Sequence, residues 1–232
     1  MKKSSGKTKI IVASFLLFVL VFGCLFKFDV FAPRRNYSDL SLGWNLVLVN
    51  SQNYIPPDYE INLKEISNGV FVDSRIYPKL NEMIDDAKKD SVYMVVVSGF
   101  RSEKKQKQLM KDKIIEYMRD GQNYFRAKKN AERWVAKEGT SEHQLGLAVD
   151  INQDSALCNA DKVYDWLLCN AHNYGFVKRY PSDKIEITGI INEPWHYRYV
   201  GVDAAMEMKE KNLCLEEYVS LVKNNEQEKK GD

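Results

Sequence analysis

Apolar residues in the middle of the chain recur at two spacings, which predict helices interspersed with strands. The first helix follows Pro78, a residue favoured at helix starts, and its inward positions keep a three- and four-residue spacing. These positions are Leu80, Met83, Ile84 and Ala87. A β-branched run at 92–97 that ends at Ser98 then predicts a buried strand.

Later segments continue this mixture of elements. Helices are predicted at 102–118, at 130–137, between Asp161 as N-cap and Gly175 as stop, and at 202–211. Candidate inward positions of the helix at 102–118 are Leu109, Ile114, Ile115 and Met118. Strands are predicted at 147–151 and 195–200. Because no regular βαβ repeat appears, the pattern predicts an α+β fold with a small, mainly antiparallel sheet and flanking helices.

The N-terminal segment has the pattern of a membrane anchor. Lysines within residues 1–9 precede an uncharged apolar run at 10–26, which as a helix would reach roughly 26 Å, at the short end of a bilayer span. Pro33 should block cleavage after the nearest signal-like segment. We therefore expect an uncleaved single-pass signal-anchor, with residues 1–9 in the cytoplasm and the rest outside. Lipidation of Cys24 is the alternative.

The remainder is predicted to form a linker at 27–45, one domain at 46–222 and a polar tail at 223–232. The chain is 44% hydrophobic and 12% aromatic, which excludes intrinsic disorder, and its four cysteines exclude a disulfide scaffold. The whole chain has a net charge of +2. Residues 1–35 carry +6 of charge, so the remainder carries a net charge of −4. No nucleic-acid partner is therefore expected.

Two of the three histidines lie in clusters of polar residues. His143 is followed by Asp150, a carboxylate in a predicted strand, where burial calls for a compensating cation. His196 follows Glu193 across a turn at Pro194. Two imidazoles and one carboxylate are a ligand set of catalytic zinc, and Glu193 is then a spare carboxylate suited to general-base catalysis. Two surface histidines and a capped aspartate are the alternative.

Arg101 directly follows the buried strand at 92–97, within the segment Ser-Gly-Phe-Arg-Ser. The end of a strand places such a residue at the mouth of a cleft, where a guanidinium suits a carboxylate or a developing oxyanion. An ordinary surface arginine is the alternative. His172 is expected to be exposed and not to be a ligand, and Trp195 either lines the pocket or packs in the core.

Three motifs together resemble those of the VanY-type D-alanyl-D-alanine carboxypeptidases, zinc peptidases related to the VanX-type dipeptidases. They are Ser-Gly-Phe-Arg-Ser with Gln106 beyond it, Ser-x-His-x-x-Gly-x-Ala-x-Asp, and Glu-Pro-Trp-His-Tyr-Arg-Tyr-Val-Gly, in this order. The resemblance covers residues 46–222 and implies the zinc D,D-peptidase fold shared with Hedgehog signalling domains. It also implies one Zn²⁺ per chain.

The resemblance assigns a role to each matching residue. His143, Asp150 and His196 would be the zinc ligands, and Glu193 the catalytic base. Arg101 would hold the oxyanion or grip the substrate. The remaining substrate-binding candidates are Ser141, which would help to hold the terminal carboxylate, Gln106, which would support Arg101 from behind, and Trp195.

The implied activity is that of a zinc D,D-carboxypeptidase at the bacterial cell membrane, with its catalytic domain outside the cytoplasm. It would remove the C-terminal D-Ala from D-Ala-D-Ala stem peptides of peptidoglycan or its precursors, and we expect a monomer. Two alternatives stay open: an L,D-carboxypeptidase that acts on tetrapeptide stems, and a non-catalytic, zinc-containing wall-binding module. A contribution to glycopeptide (vancomycin) resistance, as opposed to wall maturation alone, also stays open.

Overall fold

The structure, a computed structural model, describes residues 35–67 and 69–231, without the side chains of residues 230 and 231. The predicted cytoplasmic end at 1–9 and anchor at 10–26 lie outside the described residues. Within the described part of the chain, no helix has both the length and the apolar character needed to cross a membrane. Residues from 36 onwards form one compact unit.

Two antiparallel sheets are present in the described part of the chain. The first is a hairpin of β1 (Leu63–Ser67) and β2 (Val70–Asp73). The second has four strands in the spatial order β3-β4-β6-β5, and every neighbouring pair is antiparallel. Its strands are β3 (Met94–Ser98), β4 (Ala148–Gln153), β5 (Phe176–Lys178) and β6 (His196–Tyr199). The prediction of an α+β fold with small antiparallel sheets is confirmed.

Helices flank these sheets and connect their strands. The α-helices are Tyr77–Lys89, Glu103–Arg119, Tyr124–Ala131, Ala160–Asn170, Ile185–Thr188, Val202–Glu210 and Leu215–Gly231. Short 3₁₀ turns are Glu142–Leu145, Ala171–Tyr174 and Ser182–Lys184.

Capping residues explain two differences between the predicted and observed helices. The helix predicted at 130–137 instead occupies Tyr124–Ala131, because the side chain of Asn123 accepts a hydrogen bond from a backbone N–H of its first turn at 3.0 Å. The next long helix is capped by Asn159 and not by Asp161, since the Asn159 side chain accepts a first-turn N–H at 2.9 Å. An asparagine just before a helix was the signal in both cases.

The main core lies between the four-stranded sheet and the helices packed on it. Its fully buried members include Leu80, Met83 and Ala87 of the first helix, Val149 and Ile151 of β4, Phe176 of β5 and Tyr197 of β6. The helix Glu103–Arg119 contributes less than predicted. Its buried residues are Gln106 and Met110, whereas Met118 is 44% exposed.

The compact unit includes residues that were predicted to be a linker or a free tail. Leu40 and Trp44 pack against the main core, so the packed region begins before residue 46. The helix Leu215–Gly231 runs through most of the predicted tail at 223–232, and Lys223 lies 2.5 Å from Asp39. Leu40 and Trp44 supply the apolar surface of the first segment. The tail has no apolar side chain; it continues a helix that starts in the core at Leu215.

Candidate active site

The register of β4 and β6 places two of the predicted metal ligands opposite each other. Asp150 and His196 are directly paired residues of these antiparallel strands. The third, His143, lies in the 3₁₀ turn Glu142–Leu145, which ends at Gly146 with a φ of 68°. A Cβ atom at Gly146 would lie 2.8 Å from a backbone nitrogen of the β2 hairpin strand, so this approach requires glycine.

The ligand atoms of these three residues face one another. The Oδ1 atom of Asp150 lies 3.3 Å from Nε2 of His143 and 3.3 Å from Nδ1 of His196. One ligand atom from each residue lies within 4.8 Å of the other two. Among the described residues, neither Nε2 of His143 nor Oδ1 of Asp150 has a hydrogen-bond partner, although both atoms are buried. Orphaned buried ligand atoms of this kind fit a divalent cation such as zinc.

A backbone carbonyl fixes the orientation of His143. Its Nδ1 lies 2.7 Å from the carbonyl oxygen of Gly99, so Nδ1 carries the proton and Nε2 keeps a free lone pair. Gly99 itself lies against the β1–β2 hairpin, since a Cβ atom there would be only 2.2 Å from the carbonyl oxygen of Phe71.

Burial and the neighbouring charges perturb the pKa values of all three groups. Burial lowers the pKa of His143. Burial alone would raise the pKa of Asp150, but the neighbouring imidazoles of His143 and His196 hold it well below its usual range. Burial also acts to lower the pKa of His196, yet the facing carboxylates of Asp150 and Glu142 outweigh it and raise this pKa to about 9. The site is therefore an anionic carboxylate between two imidazoles, which attracts a cation.

Glu193 lies beside this group without belonging to it. Its Oε2 atom is 3.4 Å from Nδ1 of His196, across the turn that contains Pro194. The residue is only 7% exposed, and this burial raises its pKa to about 7. A carboxyl group whose pKa is near neutrality can accept a proton and later return it.

Arg101 contacts the second oxygen of Asp150. Its Nη2 atom donates to Oδ2 of Asp150, and its Nε atom donates to the hydroxyl of Ser98 at 2.9 Å. The guanidinium therefore orients the carboxylate whose other oxygen faces the two imidazoles. It was predicted to lie at the mouth of a cleft, and it does line the cavity described next.

A cavity of about 520 Å³ brings all the predicted site residues together. They are Arg101, Gln106, Ser141, His143, Asp150, Glu193, Trp195 and His196. Trp195 is half-buried and forms part of the wall. Gln106 is anchored by its amide nitrogen, which donates to the carbonyl of Ala136 at 2.7 Å. His172 was predicted to be exposed but is half-buried, and it lines a separate cavity away from the three predicted ligands.

A buried ion cluster behind His196 was not predicted from the sequence. The Oε1 atom of Glu142 accepts hydrogen bonds from Arg179 at 2.8 Å and from Arg198 at 2.9 Å. All three side chains are fully buried. The sequence signals were three charged residues: one next to His143, one directly after β5 and one in the last strand. Charged residues in such places are equally typical of surface positions.

The sequence and fold match known proteins over most of the chain. The family model VanY, D-alanyl-D-alanine carboxypeptidase, matches residues 69–202. A D-alanyl-D-alanine carboxypeptidase of Enterococcus faecalis (strain ATCC 700802 / V583) is 51% identical over 180 residues, which cover 78% of this chain and 67% of that protein.

Two solved structures resemble the compact unit. VanYB in complex with D-alanine-D-alanine is 51% identical, with a TM-score of 0.75 over 76% of this chain and 98% of that chain. A mutant of the vancomycin resistance D,D-pentapeptidase VanY from a VanB-type cassette, in complex with Zn(II), is 52% identical, with a TM-score of 0.74 over 76% of this chain and 99% of that chain. The predicted family and its zinc cofactor are thereby confirmed. The chain belongs to the VanY family of D-alanyl-D-alanine carboxypeptidases, which are zinc metallopeptidases.

Proposed function

We propose that this chain hydrolyses the last peptide bond of peptidoglycan stem peptides that end in D-Ala-D-Ala and releases the terminal D-Ala. The observation that carries the proposal is the grouping of three convergent ligand side chains with the Glu193 carboxyl in one cavity. A module that only binds the cell wall has no need of a buried carboxyl with a pKa of about 7 beside its metal ligands.

The metal ligands in this proposal are Nε2 of His143, Oδ1 of Asp150 and Nδ1 of His196. A zinc ion held by two imidazoles and one carboxylate supplies Lewis acidity and makes a water molecule more acidic. Asp150 offers one oxygen to the metal, while Arg101 holds the other oxygen in place. His143 is held by the Gly99 carbonyl.

The proton transfers are assigned to Glu193. Its carboxylate accepts the proton of the attacking water molecule and then donates a proton to the nitrogen of the departing D-Ala. The carboxyl lies close enough to the ligand group to do so, since its Oε2 atom is 3.4 Å from Nδ1 of His196.

The substrate is positioned by residues of the cavity wall. The Arg101 side chain is 21% exposed there and has donors left for the scissile carbonyl or the substrate carboxylate. Ser141 offers a hydroxyl for the terminal carboxylate, Trp195 offers an apolar wall, and Gln106 supports the wall near Arg101.

The proposed location is the outer face of the bacterial cell membrane, where stem peptides are found. The apolar run at 10–26 would anchor the enzyme, which acts as a monomer. Release of the terminal D-Ala destroys the D-Ala-D-Ala end that glycopeptide antibiotics bind. The proposed activity is therefore linked to vancomycin resistance. One of the solved relatives is itself described as a vancomycin resistance D,D-pentapeptidase.

A stem-peptide assay with the full chain tests the proposal. The zinc-loaded protein should release D-Ala from a pentapeptide stem ending in D-Ala-D-Ala, and a chelator should abolish this release until Zn²⁺ is added back. Cleavage of the tetrapeptide stem alone would overturn the proposal in favour of an L,D-carboxypeptidase. Cleavage of neither peptide would favour the wall-binding module, and an active protein without bound metal would refute the zinc site.

A further inference from the structure

The carboxylate of Glu142 lies between two buried arginines and a metal-ligand histidine. Its Oε1 atom accepts both arginine hydrogen bonds, from Arg179 and Arg198. Its Oε2 atom faces Nε2 of His196 at a distance of 3.6 Å. Both of these facing atoms are buried, and neither has a hydrogen-bond partner among the described residues. Pairing with each other is therefore the way in which both can be satisfied.

This ion cluster is held from outside the segment that matches the family model. Arg179 also pairs with Glu216 of the C-terminal helix at 2.6 Å, and Glu216 accepts a hydrogen bond from Asn50 at 3.1 Å. Arg198 donates to the backbone carbonyls of Asn45 and Val47, at 3.0 Å each. Residues 45–50 and the C-terminal helix therefore hold the two arginines in place, and these arginines in turn position Glu142.

Stability alone is a poor explanation for such a cluster. Desolvation of buried ion pairs offsets much of their attraction, and apolar residues of similar volume often stabilise a fold equally well. A fixed negative charge behind a metal ligand has a different use. A ligand histidine that donates its second ring N–H to a carboxylate keeps one tautomer and one ring orientation, and it becomes a stronger ligand.

We infer that Glu142 is the positioning residue of His196, and that its carboxylate keeps Nδ1 of His196 directed at the metal. Arg179 and Glu216 extend this support to the C-terminal helix. The inference rests on the proposed zinc site, in which the Nδ1 atom of His196 is a ligand.

Two isosteric variants of the full chain separate positioning from a purely structural role. Glu142→Gln removes the charge that faces His196, whereas Glu216→Gln removes a charge from the same cluster without touching that histidine. We expect Glu142→Gln to bind zinc about 10- to 100-fold more weakly, measured by competition with a chromogenic chelator. Glu216→Gln should lower the melting temperature but leave the zinc affinity within about twofold, the spread expected for a change that does not touch a ligand.

Equal zinc affinity of Glu142→Gln and the unchanged protein would overturn the inference, as would an equal loss of affinity in Glu216→Gln. If Glu142→Gln does not fold, ¹⁵N spectra of the unchanged protein loaded with ¹¹³Cd decide the question. We expect coupling of cadmium to Nδ1 of His196 and a proton on Nε2, and the reverse assignment would overturn the inference. Failure of the unchanged protein to bind metal would instead overturn the proposed function itself.

Discussion

Among single residues, Glu193 has the environment that best distinguishes a catalytic site from a structural metal site. Its carboxyl is buried, and this raises its pKa to about 7. It lies next to a ligand group but contributes none of the three convergent ligand atoms. A bound dication favours the ionised form, so the zinc-loaded enzyme should hold this carboxyl ready as a base at pH values below 7 as well.

Replacement of Glu193 by glutamine should abolish turnover and leave the metal in place. The amide cannot accept the proton, so we expect kcat to fall by about 10²- to 10⁴-fold. Elemental analysis should still find one zinc per chain. Loss of the metal together with the activity would make Glu193 a ligand and contradict its role as a base.

The activity should depend on the shape of the Arg101 side chain as well as on its charge. Its Nη2 and Nε atoms donate to Asp150 and Ser98, a pair of directions that a lysine ammonium cannot reproduce. Arg101→Lys should therefore lower kcat/KM by about tenfold or more. The exposed Arg126 provides a matched control, since Arg126→Lys should leave kcat/KM unchanged. Equal values for Arg101→Lys and the unchanged enzyme would refute the role of the forked contact.

The sequence predicted which residues converge in the cavity better than it predicted their contacts. His143, Asp150, His196 and Glu193 were identifiable because polar residue types recurred where a buried strand begins or ends. The ring nitrogen that each histidine leaves free was not predictable, because the partners that decide it, Gly99 and Glu142, come from other parts of the chain. The burial of Arg179 and Arg198 was not predictable either, because their shared partner Glu142 is distant from both in sequence.

At the scale of elements, the end of β3 and the β1–β2 hairpin approach each other at Gly99. The backbone N–H of Phe100 donates to the carbonyl of Phe71 at 2.6 Å, and the Gly99 carbonyl accepts the proton of His143. One close approach of two elements thus sets the position of a ligand. The strand run at 92–97 was predictable from its β-branched residues, whereas this contact across the fold was not.

Gly99→Ala should disturb both the fold and the metal site. The added methyl group would meet the Phe71 carbonyl oxygen at 2.2 Å, so we expect a loss of more than about 2 kcal/mol in the free energy of unfolding, together with weaker zinc binding. Gly189→Ala is the control, because its Cβ has open space and only its positive φ costs about 1 kcal/mol. Denaturant unfolding of both variants measures the difference, and equal losses would contradict the proposed crowding.

Across the whole molecule, buried carboxylates tie the C-terminal helix to the site. Burial opposes ionisation of Glu142 and Glu216, but Arg179 outweighs this effect and lowers the pKa of both groups, with Arg198 also acting on Glu142. A carboxyl whose pKa is lower in the folded state stabilises the fold above its unfolded pKa of about 4.3. This stabilisation is lost as the pH falls from there through the lower folded-state values.

Acid should therefore destabilise the protein, and the variant Glu216→Gln should show how much of this effect comes from Glu216. At pH 7 we expect this variant to be less stable by about 3 kcal/mol, because it leaves Arg179 with one buried partner fewer. Below about pH 4 the difference should shrink, because the Glu216 carboxyl is then protonated in the unfolded state, which favours unfolding of the unchanged protein. Urea unfolding at a series of pH values measures this, and a difference that stays constant down to pH 2 would contradict the assignment.

Asp150 and His196 face each other because β4 and β6 pair in register, and the length of chain that joins them plays no part in this. Insertion of one residue within either strand would turn a ligand to the opposite face of the sheet. By contrast, the loop between β5 and Glu193 can grow or shrink while the metal centre stays in place. This loop contributes Tyr180 and Ile190 to the cavity wall. Changes in the loop can therefore alter the peptide preference, as long as Glu193 keeps its position beside His196.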